Sequence, residues 1–205
     1  MVEAVVFDIG NVLIEWQPER HYDSLMPQAR REAMFAEVDL HRMNDAIDRG
    51  APFYETVVAH AAQHPQWHAE IMRWHDDWLK MASPVIPHSL RLMKALQAKG
   101  VPVFALSNFG IGTFELACGP YPFLRDFDQP YISGYMGVTK PGPRIYELLE
   151  EGSGLTGAAL LFADDRPENI EAAAARGWKT HLFTAPEGWA ARLVAEGLLS
   201  EAEAV

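Results

Sequence analysis

The chain has 205 residues, a net charge of −11 and one cysteine. That length buries a full core and leaves room for an insertion, and the acidic surface has no basic stripe with which to neutralise a nucleic-acid backbone. The lone Cys118 excludes an internal disulfide and any multi-cysteine metal site.

In chain order, Val5-Val6-Phe7 is apolar on both faces, the pattern of a buried parallel strand, and runs into Asp8 and a Gly10-Asn11 turn. From Trp16 to His88 the composition shifts to Ala, Met, Trp, His and charge. Helical periodicity predicts helices over 30–43, 53–62 and 67–81, the last with Trp67, Ile71, Trp74 and Trp78 on one face. Pro52, Pro65, Pro84 and Pro87 punctuate this stretch. Helix and strand then alternate. A helix over 89–99 stops at Gly100, and a strand over 101–106 ends at Ser107 and Asn108. A helix over 111–118 and a short strand over 130–133 follow, then a helix over 141–151 with proline in its first turn. A strand over 160–163 ends at Asp164 and Asp165, before a helix over 167–176 and a strand over 179–183. Such alternation predicts an α/β fold with a doubly wound parallel sheet. Residues 1–15 and 88–205 form the expected core domain, and 16–87 a helical cap inserted above the carboxyl edge of the sheet.

Three strands therefore end in polar residues, and ligands of open α/β sheets bind outside the carboxyl ends of the strands. The runs Phe7-Asp8-Ile9-Gly10-Asn11-Val12, Leu106-Ser107-Asn108, Lys140-Pro141 with Ile145-Tyr146, and Phe162-Ala163-Asp164-Asp165 with Asn169-Ile170 carry a resemblance. In order and spacing they resemble the four motifs of the haloacid dehalogenase-like hydrolase superfamily, whose core is Rossmann-like. The segment after the first motif resembles that superfamily's small helical cap.

The resemblance implies a phosphatase. Asp8 becomes the nucleophile that forms an aspartyl-phosphate, where a turn aspartate is the plainer reading. Gly10 and Asn11 allow backbone amides to approach the phosphate. Ser107 and Asn108 contact its oxygens, beyond the ordinary helix-capping role of such residues. Lys140 pairs with nucleophile and phosphoryl group. Asp164 and Asp165 near Asp8 repel unless a cation is present, and magnesium suits hard oxygen donors. Asp8, Asp164 and the Gly10 carbonyl are the implied ligands, with Asp165 and Asn169 behind them or as alternatives.

One position departs from the commonest pattern. Most such phosphatases carry Asp two residues after the nucleophile as general acid and base, whereas Gly10 has no proton to give. The variant resembles the Asp-x-Gly-Asn-Val subgroup, which includes bacterial sugar-1-phosphate phosphatases. Either a cap residue such as His21 supplies the proton, or the leaving group needs little help. His21, Arg42, Asp45, Arg49, His75 and Trp78 are the cap's candidate substrate contacts. The expectation is a cytoplasmic, magnesium-dependent phosphomonoesterase, monomer or homodimer, acting on a small phosphorylated metabolite, with a sugar-1-phosphate as one case and no nucleic-acid or membrane partner. The alternatives are a metal-independent 2-haloacid dehalogenase and a non-catalytic phospholigand-binding module.

Overall fold

The computed structural model describes residues 1–205, and its sheet is centred on the first apolar run. Ala4–Phe7 (β1) is buried at every position. Ile14–Trp16 (β2) follows it, and then come six helices. They are Pro18–Asp23 (α1), Gln28–Val38 (α2), Leu40–Asp48 (α3), Phe53–Gln63 (α4), His68–Asp76 (α5) and Trp78–Met81 (α6). The chain returns through Ala82–Val85 (β3), which pairs antiparallel with β2 in a two-stranded ribbon.

Beyond the ribbon come Pro87–Ala98 (α7), Val103–Ser107 (β4), Ile111–Ala117 (α8), Gln129–Ile132 (β5) and Ser133–Met136 (α9). Pro143–Ser153 (α10), Leu160–Asp164 (β6), Pro167–Ala175 (α11), Lys179–Leu182 (β7) and Pro186–Ala195 (α12) complete the chain. The main sheet has the order β5-β4-β1-β6-β7, with every neighbouring pair parallel. Because β1 has β4 on one side and β6 on the other, the strand order reverses there and opens a crevice at the carboxyl ends.

Side chains alternate between the two faces of each strand. Val5 and Phe7 pack with Leu92 and Leu96 of α7 and with Trp189 and Leu193 of α12. Ala4 and Val6 pack on the other face with Ile145 and Leu149 of α10 and Ala173 of α11. Phe7 meets the fully buried Trp189 edge-on at 5.6 Å, a geometry worth about 0.5–1.5 kcal/mol beyond area burial. The larger of the two apolar clusters continues into the helical insertion through Met34, Ile47, Ile71 and Trp74. No helix is long and apolar enough to cross a membrane.

Two helices predicted as single runs are each broken by an aspartate. Asp39 adopts φ 46°, ψ 59°, a left-handed conformation that ends α2. Its carboxylate then accepts the Arg42 amide at 3.2 Å, starting α3 in a new direction that buries Leu40, Met43 and Ile47. Asp77 interrupts the 67–81 run at φ −107°, ψ 11°, and its buried carboxylate takes His21, Arg73 and Lys80. The ribbon, α1, α9 and α12 lie outside the elements that periodicity predicts.

Candidate active site

Asp8 follows β1 directly, Ser107 is the last residue of β4 and Asp164 the last of β6. The sheet register thus brings three distant motifs together. Asp8 is 7% exposed, and its Oδ1 accepts the Ile9 amide at 2.7 Å, the Ser107 hydroxyl at 2.6 Å and Lys140 Nζ at 2.9 Å. No protein group donates to Oδ2, which is left to face a ligand.

Lys140 is buried, and its Nζ also donates to Asp164 Oδ2 at 2.7 Å and to the Leu106 carbonyl at 2.7 Å. An ammonium has three donors, and all three are engaged within the protein. Asn108 fixes the lysine from behind: its Oδ1 accepts the Lys140 amide at 2.8 Å and its Nδ2 donates to the Lys140 carbonyl at 3.0 Å. Asp164 is fully buried and accepts Asn169 Nδ2 at 2.9 and 3.0 Å and the Arg166 amide at 2.8 Å. Asn169 is held in turn by the Tyr146 hydroxyl on its carbonyl at 3.1 Å. Asn11 sits at φ 55°; its Nδ2 donates to Asp165 Oδ2 at 3.0 Å and its Oδ1 accepts the Trp16 amide at 2.9 Å. Ser107, Asn108 and Asn11, expected at the phosphate, all use their side chains on neighbouring site residues.

The charges are unevenly matched. One oxygen from each of Asp8, Asp164 and Asp165 lies within 4.8 Å of the others, and Lys140 is the one ammonium among them. Burial pushes the Asp8 carboxyl up to about 7; Lys140 pulls it down and Asp164 pushes it up again. Asp165 is raised as well, chiefly by burial. Burial works against the Lys140 charge, yet Asp164 and Asp8 together hold its pKa above the usual lysine value. An all-oxygen donor set with excess negative charge fits a hard divalent cation of the magnesium type.

Above these groups opens a cavity of about 560 Å³ between the sheet edge and the helical insertion. Of the insertion residues singled out from the sequence, Asp45 and Trp78 line it, while His21, Arg42, Arg49 and His75 do not. His21 instead pairs with Asp77 at 3.0 Å, and His75 packs on Phe53 with 4.8 Å between rings. Sequence reasoning missed His41, Asn44 and Asp48, which line the cavity from α3. With Asp45 they form a polar stripe at i, i+3, i+4 and i+7, and that spacing was a usable signal.

Residues 2–177 match the family model of the haloacid dehalogenase-like hydrolases. A curated relative, D-ribitol-5-phosphate phosphatase of Bacteroides thetaiotaomicron, is 24% identical over 88% of this chain and 91% of its own length. Among solved structures, a haloacid dehalogenase family enzyme of the same organism superposes with TM-score 0.73 at 22% identity, covering 94% of this chain and 98% of that one. An aspartate-to-alanine variant of that enzyme was solved with magnesium and inorganic phosphate, and superposes at TM-score 0.65 and 20% identity over 90% of this chain and 95% of that one. An L-2-haloacid dehalogenase of Xanthobacter autotrophicus with covalently bound chloropropionic acid superposes at TM-score 0.63 and 20% identity, over 97% and 85% of the two chains. Given a family match over most of its length and the four motifs gathered at one crevice, the chain belongs to the haloacid dehalogenase-like hydrolases.

Proposed function

We propose that the protein is a magnesium-dependent phosphomonoesterase that hydrolyses a small phosphorylated metabolite through an aspartyl-phosphate. The observation that carries this reading is the buried set Asp8–Lys140–Asp164 with Asp165 beside it, which gathers more negative charge than one lysine offsets. Asp8 Oδ1 is fixed by three donors, so Oδ2 is the oxygen available to attack phosphorus. As the new bond forms, the bond from phosphorus to the leaving oxygen breaks and its electron pair departs with that oxygen. Water then attacks the same phosphorus and restores the Asp8 carboxylate.

Ser107 and Lys140 stand within reach of the transferring group and can release a hydrogen bond to it as charge builds on its oxygens. Asp8, Asp164 and the Gly10 carbonyl, with Asp165 and Asn169 behind them, would hold magnesium, which would supply the charge that keeps Asp8 ionised and offsets the phosphoryl oxygens. Residues 16–87 act as the cap that closes over the substrate, and 1–15 with 88–205 as the catalytic core. The cavity's size and its wall of Asn44, Asp45, Asp48 and His41 suit a hydroxyl-rich organic group, in keeping with the sugar-alcohol phosphate named for the curated relative. The three carboxylates speak against a metal-independent dehalogenase.

The deciding assay compares phosphate release from p-nitrophenyl phosphate and a panel of sugar and polyol phosphates, with and without magnesium, against chloride release from 2-chloropropionate. Magnesium-dependent phosphate release is the expected result. Chloride release without metal, or inactivity toward every ester, overturns the proposal.

A further inference from the structure

We propose that Asp48, on the last turn of α3, is the acid that protonates the leaving oxygen of the substrate and the base that later accepts a proton from water. The inference rests on the phosphomonoesterase reading and answers a question that Gly10 raises. A Cβ on Gly10 would have Trp16 Cβ as its nearest neighbour, at 3.9 Å, so crowding at Cβ is not what keeps a side chain from this position. The proton must come from elsewhere in the cavity.

Asp48 is the cavity carboxylate held by both the insertion and the core. The Gly110 amide, three residues beyond Ser107, stands close enough to its carboxylate to favour the charged form, and Asn44 Nδ2 donates to its Oδ2 at 2.9 Å. The Ser133 hydroxyl donates to its backbone carbonyl at 2.6 Å. The end of α3 meets the core backbone to backbone: a Cβ on Gly110 would lie 2.9 Å from the Ile47 carbonyl oxygen, and one on Gly50 2.7 Å from that of Gly134. The other acidic groups on the wall are otherwise engaged or exposed. Glu15 pairs with Arg20 at 2.6 Å, Glu19 with the exposed His41 at 2.9 Å, and Asp165 with Asn11 and the carboxylate cluster. Asp45 is exposed to solvent.

Its surroundings raise the Asp48 carboxyl far above the ordinary aspartate value, so that both its acid and its base forms are available near neutral pH. Burial is the main cause, Asp45 on its own helix and Asp8 across the cavity add to it, and the Gly110 amide and Arg49 oppose it, leaving the carboxyl at about 7. Neither Asn44 nor Ser133 brings a charge.

The step balances. The electron pair of the breaking phosphorus–oxygen bond goes to the leaving oxygen, which takes the Asp48 proton and departs as an alcohol. The Asp48 carboxylate then accepts a proton from the water that attacks the aspartyl-phosphate, and inorganic phosphate leaves with Asp8 restored. Alkyl phosphates thereby become competent substrates alongside esters whose leaving group needs little help.

The test is Asp48→Asn with the magnesium-loaded enzyme, read as kcat/KM over phosphate esters from 2,4-dinitrophenyl phosphate to a simple alkyl phosphate. The alkyl ester should lose about 10²–10⁴-fold, the usual worth of general acid assistance, while the dinitrophenyl ester is little changed. The variant should also show a burst of dinitrophenol, because the aspartyl-phosphate persists once the base is gone. Equal losses across the series, or an undiminished alkyl rate, overturn the proposal. A wild-type profile needs no variant: kcat/KM for the alkyl ester should fall as pH rises through about 7 while that for the dinitrophenyl ester does not, and parallel profiles overturn the assignment. Inactivity of the wild type toward every ester would remove the phosphomonoesterase reading itself and this proposal with it.

Discussion

Lys140 shows how the site is prepared before any substrate arrives. Its three donors tie Asp8, Asp164 and the Leu106 carbonyl into one unit, so the position of Asp8 is set by protein groups. Replacing Asp8 by Asn keeps the shape and removes a charge that burial disfavours. The variant should therefore lose phosphate release by many powers of ten while its melting temperature stays level or rises. Retained turnover, scored by phosphate release with magnesium, would disprove the nucleophile assignment. Asp8, Ser107, Lys140 and Asp164 were legible in the sequence because each ends a strand or opens a helix in a recognisable order. Asp48 was not, since a polar residue at a helix end usually means solvent, and only the docking of α3 places it over the cavity. His21 looked like a proton donor but belongs to the ion-pair group around Asp77.

At the scale of elements, the two aspartates that break helices set what the cavity contains. Asp39 turns the chain so that α3 presents Ile47 inward and Asp48 toward the sheet edge. No periodicity argument foresees this, because hydrophobic spacing continues across the break and only the left-handed backbone at Asp39 ends the helix. The docking of α3 tolerates no side chain at Gly110, where a Cβ would lie 2.5 Å from Ile47 Cγ2 and 2.9 Å from its carbonyl oxygen. Gly110→Ala should cost about 1–3 kcal/mol in denaturant unfolding and lower alkyl-ester turnover more than dinitrophenyl-ester turnover. Asp77 supplies a pH-dependent stabilisation. Burial works against its charge, but hydrogen bonds from Lys80, His21 and Arg73 more than offset this and hold its carboxyl at about 2, below the ordinary 3.8. Its contribution, roughly 2 kcal/mol, is fully present above the ordinary value and is lost as pH falls through the folded one. Asp77→Asn should be less stable than wild type at pH 7, and the difference should shrink in urea melts as pH falls from about 4 toward 2.

For the whole molecule, the alternation of strands and helices made the doubly wound sheet legible, because each element shows its periodicity locally. The ribbon was hidden, since β2 and β3 are three and four residues long and find each other only across the intervening helices. One apolar cluster runs from the α7–α12 face of the sheet through the helical insertion, so the two regions should not unfold separately. Thermal melts followed by tryptophan fluorescence and by far-ultraviolet circular dichroism should coincide in one transition; two separated midpoints would contradict this. The ribbon also has a mechanical meaning. Both strands that lead out of and back into the helical insertion are bonded to each other, with Trp16 packed on Trp74 and Trp78 beside them. Two strands bonded to each other act as one attachment rather than two independent ones, so the chain cannot release one connection of the insertion without loosening the other.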